Sequence, residues 1–386
     1  MPPRNPVKRV VRRVASESVV LAKPVFTAKV TSNAFAQSIV AAIRKKVKGS
    51  KIDTLDRTSA LSDVKEWIPS GFVGLDDVLG GGWAVGRASE VFGDEGCGKT
   101  AIAHRAIKGV QDLGGYAVLL DFEAALDEKK IIQLGIDPAR VLHEVPDHIE
   151  QGWDIVWATM ERLKESHPDA PVLIVWDSIG GAVPKAELDA KSSEKHQVGE
   201  TARAMSKGCR RMFKAIAEVR AHMMWISQER HKIGGFSPFG PVKETSGGKG
   251  PKYAASQRLR LARVKTLKEG TRATGYLIKA VTKKNRLAAP EQSMEWVIDF
   301  RVGPSPELTL LACLQDAGRV RAVSGRLVFP LWGKDKPFRR ADWLTLIQDP
   351  KRRDHALAAY REVMGAGGPK ALKDQESEAG VDFGDE

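Results

Sequence analysis

Eight consecutive residues carry the most specific chemical pattern in this chain: Gly93, Asp94, Glu95, Gly96, Cys97, Gly98, Lys99 and Thr100. They fit G-x-x-x-x-G-K-[ST], the pattern of a phosphate-binding loop. Glycines let backbone N–H groups wrap around a phosphate without a Cβ in the way. Lys99 can reach the β- and γ-phosphates, and the Thr100 hydroxyl can bind Mg²⁺. The pattern predicts a nucleoside triphosphate site; the alternative is a glycine-rich turn before an ordinary helix.

Polar side chains follow the predicted strands at the points where those strands end. Three apolar runs, 116–121, 171–177 and 223–228, are typical of buried strands. Asp121, Asp177 and Gln228 end these runs, and Glu123 and Ser178 come just after two of them. Asp177 suits a magnesium site, Glu123 can take a proton from an attacking water, and Gln228 can bond a γ-phosphate. For each acid, a cap at the end of a strand is the alternative.

The surrounding elements are expected to bring these side chains to the loop. A strand at 88–92 precedes the loop and a helix at 101–107 follows it. Further helices at 154–166 and 201–221 separate the apolar strands. Such alternation predicts an α/β fold with a mostly parallel sheet that helices cover on both faces. Ligands of these sheets bind at the carboxyl ends of the strands, where the polar residues should converge.

Charge is concentrated at the two ends of the 386-residue chain, whose net charge is +13. Residues 1–50 hold eleven Lys or Arg and one acid, whereas residues 371–386 hold six acids and one Lys. A basic arm and an acidic tail indicate a nucleic-acid binder with a competing tail; solvated ends without a partner are the alternative. Three scattered cysteines favour a reducing cytoplasm, and no stretch is apolar enough to span a membrane.

A short region before the core has a pattern of its own. Apolar residues recur every four positions from Asn33 to Val47, which predicts an amphipathic helix. Ser50 to Asp56 is predicted to form a short strand. Because a lone helix and strand cannot bury their apolar face on themselves, we expect them to dock on the core or on a neighbouring subunit.

Many segments of the chain resemble the bacterial RecA recombinase family and its phage relatives. Besides the phosphate loop, the matching segments are 82–87, 121–127, 175–178, 184–187, 226–234, 245–248 and 283–290. Their order and spacing agree from about residue 33 to residue 350. This match is much more specific than the loop alone, and it implies a RecA-like P-loop ATPase core with a twisted sheet.

The resemblance implies roles around ATP. Glu123 would activate the hydrolytic water together with Lys99 and Gln228, and Gln228 would couple the γ-phosphate to a mobile loop at 229–249. Asp127 and Asp177 would join the phosphate loop as ATP-binding residues, with Thr100 and Asp177 at Mg²⁺. Lys284 and Arg286 match the pair that reaches into the neighbouring subunit's ATP.

The resemblance also implies DNA contacts. Arg203, Ser206 and Arg210 match DNA-contacting positions, and their spacing puts them on one helix face. A solvated helix face is the alternative reading of that spacing. Gly247 and Gly248 would offer backbone N–H groups to phosphates, and a loop at 189–198 would also face DNA.

The implied activity is homologous recombination in DNA repair and the SOS response. Members of the family form helical filaments on single-stranded DNA, pair it with double-stranded DNA and exchange strands, using ATP. The setting would be the bacterial cytoplasm at the nucleoid, or the host cytoplasm for a phage-borne protein. A ring helicase, a clock-type ATPase and a non-enzymatic DNA-binding accessory protein remain as alternatives.

Composition and the resemblance together divide the chain into five parts, of which the basic arm is additional to the family. They are a basic arm (1–31), an N-terminal helix and strand for protomer docking (32–67), the ATPase and DNA-binding core (68–303), a small C-terminal α/β domain (304–368) and an acidic tail (369–386). Two positions depart from the family. Lys130 stands where an aromatic residue usually stacks on adenine, and Arg286 stands where a lysine is usual. With Lys130 at that position, the sequence predicts neither adenine stacking nor the selectivity for the nucleotide base.

Overall fold

A computed structural model describes residues 32–50, 52–54, 64–166, 168–189, 199–237, 240–333 and 336–365. The chain divides into two compact units, residues 1–60 and residues 61–386, and each is considered by itself. The predicted basic arm, all but the first residue of the 189–198 loop and the acidic tail lie outside the described residues. None of the described helices is long and apolar enough to cross a membrane.

The first unit contains the predicted amphipathic helix, α1, at Ser32–Lys46. The strand predicted over Ser50–Asp56 is wrong for the described residues, because 52–54 have no regular secondary structure. Instead, Arg44 donates hydrogen bonds to the carbonyl oxygen of Ile52 and to the Asp53 carboxylate, both at 3.0 Å. A strand needs a partner strand to satisfy its backbone groups, and the described part of this unit offers none.

Fourteen strands are described in the second unit. They are β1 Trp67–Ile68, β2 Trp83–Ala84, β3 Ala88–Gly93, β4 Tyr116–Asp121, β5 Val141–Glu144, β6 Val172–Asp177, β7 Ala221–Ser237, β8 Gly240–Thr245, β9 Gln257–Glu269, β10 Arg272–Asn285, β11 Ser293–Asp299, β12 Gly303–Ser305, β13 Arg321–Val323 and β14 Arg326–Val328. One ten-stranded sheet has the order β12-β11-β10-β9-β3-β7-β6-β4-β5, with β8 paired to β7. The pairs β1–β2 and β13–β14 form two small sheets.

The main sheet is parallel from β5 through β9 and antiparallel from β9 to β12. Every residue of β3 and β6 is buried. Strands that are buried on both faces are mostly apolar, which is why the sequence pattern located them, although β3 also buries Ser89 and Glu90. The predicted α/β fold with a mostly parallel sheet is confirmed.

Ten helices of the second unit are described. They are α2 Val73–Leu79, α3 Lys99–Asp112, α4 Glu128–Gln133, α5 Ile149–Ser166, α6 Lys185–Asp189, α7 Glu200–Ile216, α8 Lys249–Ala254, α9 Pro306–Asp316, α10 Trp343–Leu346 and α11 Pro350–Gly365. On one face of the sheet α3 packs against side chains such as Leu119 and Val175. On the other face α5 and α7 pack against alternate residues, among them Ile174 and Trp176. The period of two along each strand produces these two layers.

The predicted loop at 229–249 is wrong in part, because most of it forms a hairpin. Strand β7 continues past Gln228 to Ser237, and β8 returns beside it with Glu229 opposite Thr245. The glycine- and lysine-rich composition indicates a loop, but two strands that pair with each other satisfy their backbone hydrogen-bonding groups whatever their composition.

The C-terminal part of the second unit has a hydrophobic cluster of its own. Leu311, Phe329, Trp343 and Tyr360 are buried there, and Val297 of β11 belongs to the same cluster. The last described helix of this part is α11, at Pro350–Gly365. The division of the chain at residue 304 stays a prediction.

Candidate functional site

The predicted phosphate loop joins the end of β3 to the start of α3. Gly98 has a left-handed backbone with φ 88°, which favours glycine. A Cβ at Gly98 would lie 2.7 Å from Ile298 Cδ1 and 2.9 Å from the Trp296 ring. A Cβ at Gly93 would overlap the carbonyl oxygen of Leu261. Close packing beneath the loop therefore requires glycine at both positions, whereas Gly96 faces open space.

Lys99 lies beneath the loop rather than in solvent. Its side chain is buried, and its ammonium group donates to the carbonyl oxygens of Asp94 at 2.8 Å and Gly93 at 3.3 Å. The positive charge therefore sits inside the turn formed by the loop, at the N-terminus of α3, where an anion would bind.

Strand register brings the predicted polar residues to this loop. Asp121 pairs with Asp177 across β4 and β6, and Gly93 pairs with Gln228 across β3 and β7. The Thr100 hydroxyl donates to Asp177 Oδ2 at 2.8 Å. Burial raises the pKa of Asp177 to about 6, and the nearby Glu123 and Asp121 carboxylates also raise it.

Glu123 and Asp121 differ in their surroundings. Glu123 is exposed, and the Ser178 hydroxyl donates to its Oε1. Asp121 is buried and accepts hydrogen bonds from the backbone N–H groups of Ala125 and Leu126, both at 3.0 Å. Asp121 thus stabilises the turn that carries Glu123. The sequence pattern does not distinguish this structural role of Asp121 from a direct role at the phosphates.

A cleft of about 360 Å³ runs along these groups. Its polar side is lined by Glu95, Gly96, Gly98, Lys99, Thr100, Glu123, Asp177 and Gln228. The lining also includes Tyr276, Ile298 and Phe300, which the sequence reasoning missed. No local pattern marks these three, because they reach the cleft through the pairing of β10 with β11.

The residues of the cleft fit a triphosphate with Mg²⁺. A glycine loop with open space at Gly96, a buried ammonium, a hydroxyl and a carboxylate provide complementary groups. Within the described residues, no three His, Cys, Asp or Glu side chains cluster to hold a metal ion. The Thr100 hydroxyl and the Asp177 carboxylate suit Mg²⁺, because this ion keeps waters and phosphate oxygens among its ligands and needs only one or two protein groups.

Asp127 and Lys130, although predicted near ATP and adenine, do not line the cleft. Asp127 accepts from the backbone N–H of Lys129 at 3.0 Å and so caps the start of α4. The Lys130 ammonium lies 3.4 Å from the Asp127 carboxylate. In this conformation the two side chains pair with each other.

The predicted DNA-binding residues lie close together. Arg203 and Arg210 are exposed on α7, and Ser206 is half-buried between them. A Cβ at Gly248 would lie 2.7 Å from Ala202 Cβ, so the glycines at 247–248 adjoin the start of α7. Gly247 and Gly248 have left-handed φ values of 82° and 71°.

One backbone contact links this group to the cleft. The N–H of Ser246, next to Gly247, donates to the carbonyl oxygen of Gln228 at 3.2 Å. The Gln228 side chain lines the cleft. Gln228 therefore contacts both the cleft and the segment beside Gly247 and Gly248.

Lys284 and Arg286 lie away from the cleft lining. The Lys284 ammonium donates to the carbonyl oxygens of Lys252 and Tyr253, both at 3.1 Å. Partial burial lowers the pKa of Lys284 to about 8, and the Arg286 and Arg258 charges lower it further. Arg286 is exposed.

Comparison with known proteins gives one consistent family. A family model for the RecA N-terminal domain matches residues 34–305. Protein RecA of Leifsonia xyli subsp. xyli is 38% identical over 247 residues, which cover 64% of this chain and 67% of that protein. Protein RecA of Nocardioides sp. is 38% identical over 275 residues, which cover 71% of this chain and 75% of that protein. Protein RecA of Saccharopolyspora erythraea is 36% identical over 275 residues, covering 71% and 76%. The chain therefore belongs to the RecA family.

Proposed function

We propose that this chain is a DNA-dependent ATPase that assembles into helical filaments on single-stranded DNA and catalyses homologous pairing and strand exchange during DNA repair. The observation that carries the proposal is the position of Gln228. Its side chain lines the cleft, and its carbonyl oxygen accepts from Ser246 beside the DNA-binding residues. A family recombinase needs such a link between nucleotide and DNA. The setting is the bacterial cytoplasm, or the host cytoplasm for a phage-borne protein.

The polar side of the cleft binds the triphosphate and positions a water. Lys99 neutralises phosphate charge, and Thr100 and Asp177 would hold Mg²⁺, which would neutralise further charge on the phosphates. Glu123, exposed at the cleft and oriented by the Ser178 hydroxyl, accepts a proton from the attacking water. Asp121 keeps the Glu123 turn rigid through its backbone hydrogen bonds.

The start of α7 and the adjoining glycines hold single-stranded DNA. Arg203 and Arg210 bind phosphates with charge, and the Ser206 hydroxyl and the N–H groups of Gly247 and Gly248 donate hydrogen bonds. Contacts to phosphate leave the base edges free, so base pairing with a duplex supplies the sequence recognition.

A neighbouring protomer completes the ATP site. Lys284 and Arg286 lie outside their own cleft, which suits cations that reach the nucleotide of the next subunit and stabilise charge there. Phe35 is 71% exposed and Ile39 is 43% exposed on α1, an apolar face suited to docking on the next protomer. Head-to-tail contacts that do not close produce a filament.

Strand exchange tests this function. Purified protein is mixed with single-stranded circles, homologous linear duplex, Mg²⁺ and ATP, and joint molecules are followed on gels. We expect joint molecules only with ATP and homologous duplex. Rings around DNA in electron micrographs, without joint molecules, would favour a ring helicase. DNA binding without DNA-stimulated hydrolysis would favour an accessory protein.

A further inference from the structure

A half-buried amide side chain lies between the two cations that are proposed to reach the neighbouring ATP. Asn285 is the last residue of β10, with Lys284 before it and Arg286 after it. Its Nδ2 group donates to the carbonyl oxygens of Val78 at 3.3 Å and Leu79 at 3.1 Å. Both carbonyls belong to the last turn of α2, where no further helical N–H group follows to pair with them. Asn285 therefore joins the end of β10 to the end of α2.

The other end of the same amide holds the chain that follows β10. Asn285 Oδ1 accepts from the backbone N–H groups of Leu287 at 2.9 Å and Ala288 at 3.1 Å. An asparagine that bonds the backbone two residues further on closes a turn. The turn also packs on the end of α2, because a Cβ at Gly80 would lie 2.8 Å from Ala288 Cβ. Since carbonyl groups only accept and N–H groups only donate, these partners fix the orientation of the amide.

A second amide side chain holds the same end of α2. Gln257 lies directly opposite Asn285 in the ladder of β9 and β10. Gln257 is buried, and its Nε2 group donates to the carbonyl oxygens of Leu79 at 3.0 Å and Gly82 at 2.8 Å. The Leu79 carbonyl oxygen therefore accepts from both amides. Because Gln257 fixes the end of α2 to the sheet, that end is a rigid support for Asn285.

The contacts of the two cations do not replace this support. The Lys284 ammonium bonds carbonyl oxygens near the end of α8, and it must leave them to reach a nucleotide in another protomer. The backbone N–H of Arg286 donates to the carbonyl oxygen of Ser256 at 3.0 Å, but its side chain is exposed. The direction of both side chains therefore depends on the backbone that Asn285 orders.

We propose that Asn285 is a positioning residue for ATP hydrolysis, an inference that rests on the proposed ATP site between protomers. By bonding residues 284–288 to α2, it directs Lys284 and Arg286 away from their own protomer and toward the nucleotide of the next one. Asn285 itself lies outside the cleft lining. It acts through the placement of the two cations, and a misplacement of about 1 Å can slow a reaction about 100-fold.

Mixed filaments test this inference, because they separate the two halves of one ATP site. Subunits with Asn285→Ala keep Glu123 and lose the placement of the cations, whereas subunits with Glu123→Gln keep the cations. We expect DNA-dependent turnover of Asn285→Ala alone to fall about 10- to 100-fold. In filaments assembled at random from equal amounts of both variants, about one site in four combines Glu123 with correctly placed cations. Turnover should then rise to about a quarter of that of the unchanged protein, above either variant alone.

A second variant separates the bonds to α2 from the turn. Asn285→Asp keeps the oxygen that accepts from Leu287 and Ala288, but it loses the N–H groups that donate to α2. It should lose turnover as Asn285→Ala does and regain turnover with Glu123→Gln. Full turnover of either Asn285 variant alone would overturn the inference.

Matched variants separate positioning from general damage. Gln348→Ala removes another amide that donates to a backbone carbonyl, that of Leu344 at 3.2 Å, and should keep full turnover. Lys284→Ala should regain turnover with Glu123→Gln just as Asn285→Ala does. If Glu123→Gln restores Lys284→Ala but neither Asn285 variant, the inference is wrong. Full turnover of Lys284→Ala alone, or no gain in any mixture, would instead show that the proposed site between protomers is wrong.

Discussion

At the scale of single residues, a buried ion pair lies in the sheet beside the phosphate loop. The Arg258 guanidinium donates to Glu90 Oε2 at 2.5 Å, and the two side chains are 9% and 0% exposed. Arg258 also lies over the Phe92 ring at 4.4 Å. Within the described residues, the other Glu90 oxygen has no hydrogen-bond partner. The pair joins β3 to β9, so it holds the strand that leads into the loop.

Removing one partner of this ion pair should lower the free energy of unfolding more than removing both partners. We expect Glu90→Ala to lower the free energy of unfolding by about 3–5 kcal/mol, because it leaves the Arg258 charge buried and unpaired. The double variant Glu90→Ala/Arg258→Met should lose less. Urea unfolding followed by fluorescence measures both. Glu165→Ala, which removes an exposed pair with Arg162, should change stability by less than about 1 kcal/mol. A double variant less stable than Glu90→Ala would contradict this account.

A buried histidine should make the free energy of unfolding depend on pH. His222 lies between the carbonyl oxygen of Ala84 and the hydroxyl of Ser89, each at 2.7 Å. The carbonyl can only accept, so Nδ1 carries the proton and Nε2 accepts from Ser89. Burial lowers the pKa of His222 from 6.5 to about 4. Between these pH values the unfolded chain binds a proton that the folded chain does not, so stability falls as pH falls through this window.

The variant His222→Gln should remove this dependence. We expect the free energy of unfolding of the unchanged protein to fall more steeply from pH 6.5 to pH 4 than that of the variant, by up to about 1.4 kcal/mol per pH unit. His104, whose pKa burial also lowers to about 4, stays in both proteins, so the difference between them isolates His222. Parallel stability curves for the two proteins across this range would refute the assignment.

Residues with a local pattern could be predicted from the sequence, and residues placed by pairing could not. The loop pattern locates Lys99 and Thr100, and the end of a strand locates Asp177. The sequence therefore predicts that these residues meet, as Thr100 and Asp177 do through their hydrogen bond. Tyr276 and Phe300 reach the same cleft through the antiparallel register of β10 and β11. No local sequence signal fixes that register before the strands pair.

At the scale of elements, α7 carries Arg203, Ser206 and Arg210, which are proposed to bind DNA, and it packs on α5 through a glycine. A Cβ at Gly208 would overlap the Trp153 ring. Trp153 is itself packed between Trp157 and Trp176, with ring centroids 5.6 Å and 5.3 Å away. The indole therefore has little room to move, and the absence of a side chain at Gly208 sets the approach of the two helices.

A methyl group at Gly208 should push the helices apart. Alanine favours a helix over glycine by about 1 kcal/mol, but overpacking costs about 1–3 kcal/mol, so we expect Gly208→Ala to destabilise the protein. Affinity for single-stranded DNA should fall as well, since Arg203 and Arg210 shift with α7. Thermal unfolding and fluorescence anisotropy measure these effects. Lys207→Ala is the control, because Lys207 is exposed on the same helix and its substitution leaves the contact with α5 unchanged. Ser206→Ala is unsuitable as a control, because it removes a proposed DNA contact. A Gly208→Ala protein that is more stable than the unchanged protein would contradict this prediction, because the interface between α5 and α7 would then accommodate the added methyl group.

The sequence predicts the elements that are buried on both faces, whereas it does not predict the β7–β8 hairpin. Strands β4 and β6 end where their apolar runs end, at Asp121 and Asp177. The β7–β8 hairpin contains Gly234, Gly235 and Pro241, which indicated a loop. Its backbone pairing does not depend on burial, so composition alone could not reveal it.

At the scale of the whole molecule, the exposed face of α1 bears on assembly. We expect Phe35→Asp to abolish filaments on single-stranded DNA in electron micrographs, because a charge would be placed in an apolar contact between protomers. Binding of ATP to the single subunit should persist. Ala41→Asp adds the same charge at another exposed position, about half a turn from Ile39, and should preserve filaments. Filaments of normal length formed by Phe35→Asp would exclude this face from the contact.

ATP hydrolysis measured with and without single-stranded DNA is the most direct test of the central claim that one site couples nucleotide to DNA. It requires the unchanged protein, Glu123→Gln and the matched variant Glu128→Gln, which removes an exposed carboxylate on α4. We predict that DNA stimulates hydrolysis by the unchanged protein and by Glu128→Gln. In Glu123→Gln turnover should fall at least about 100-fold, while ATP-dependent DNA binding persists. Hydrolysis that ignores DNA, or full turnover in Glu123→Gln, would contradict the account.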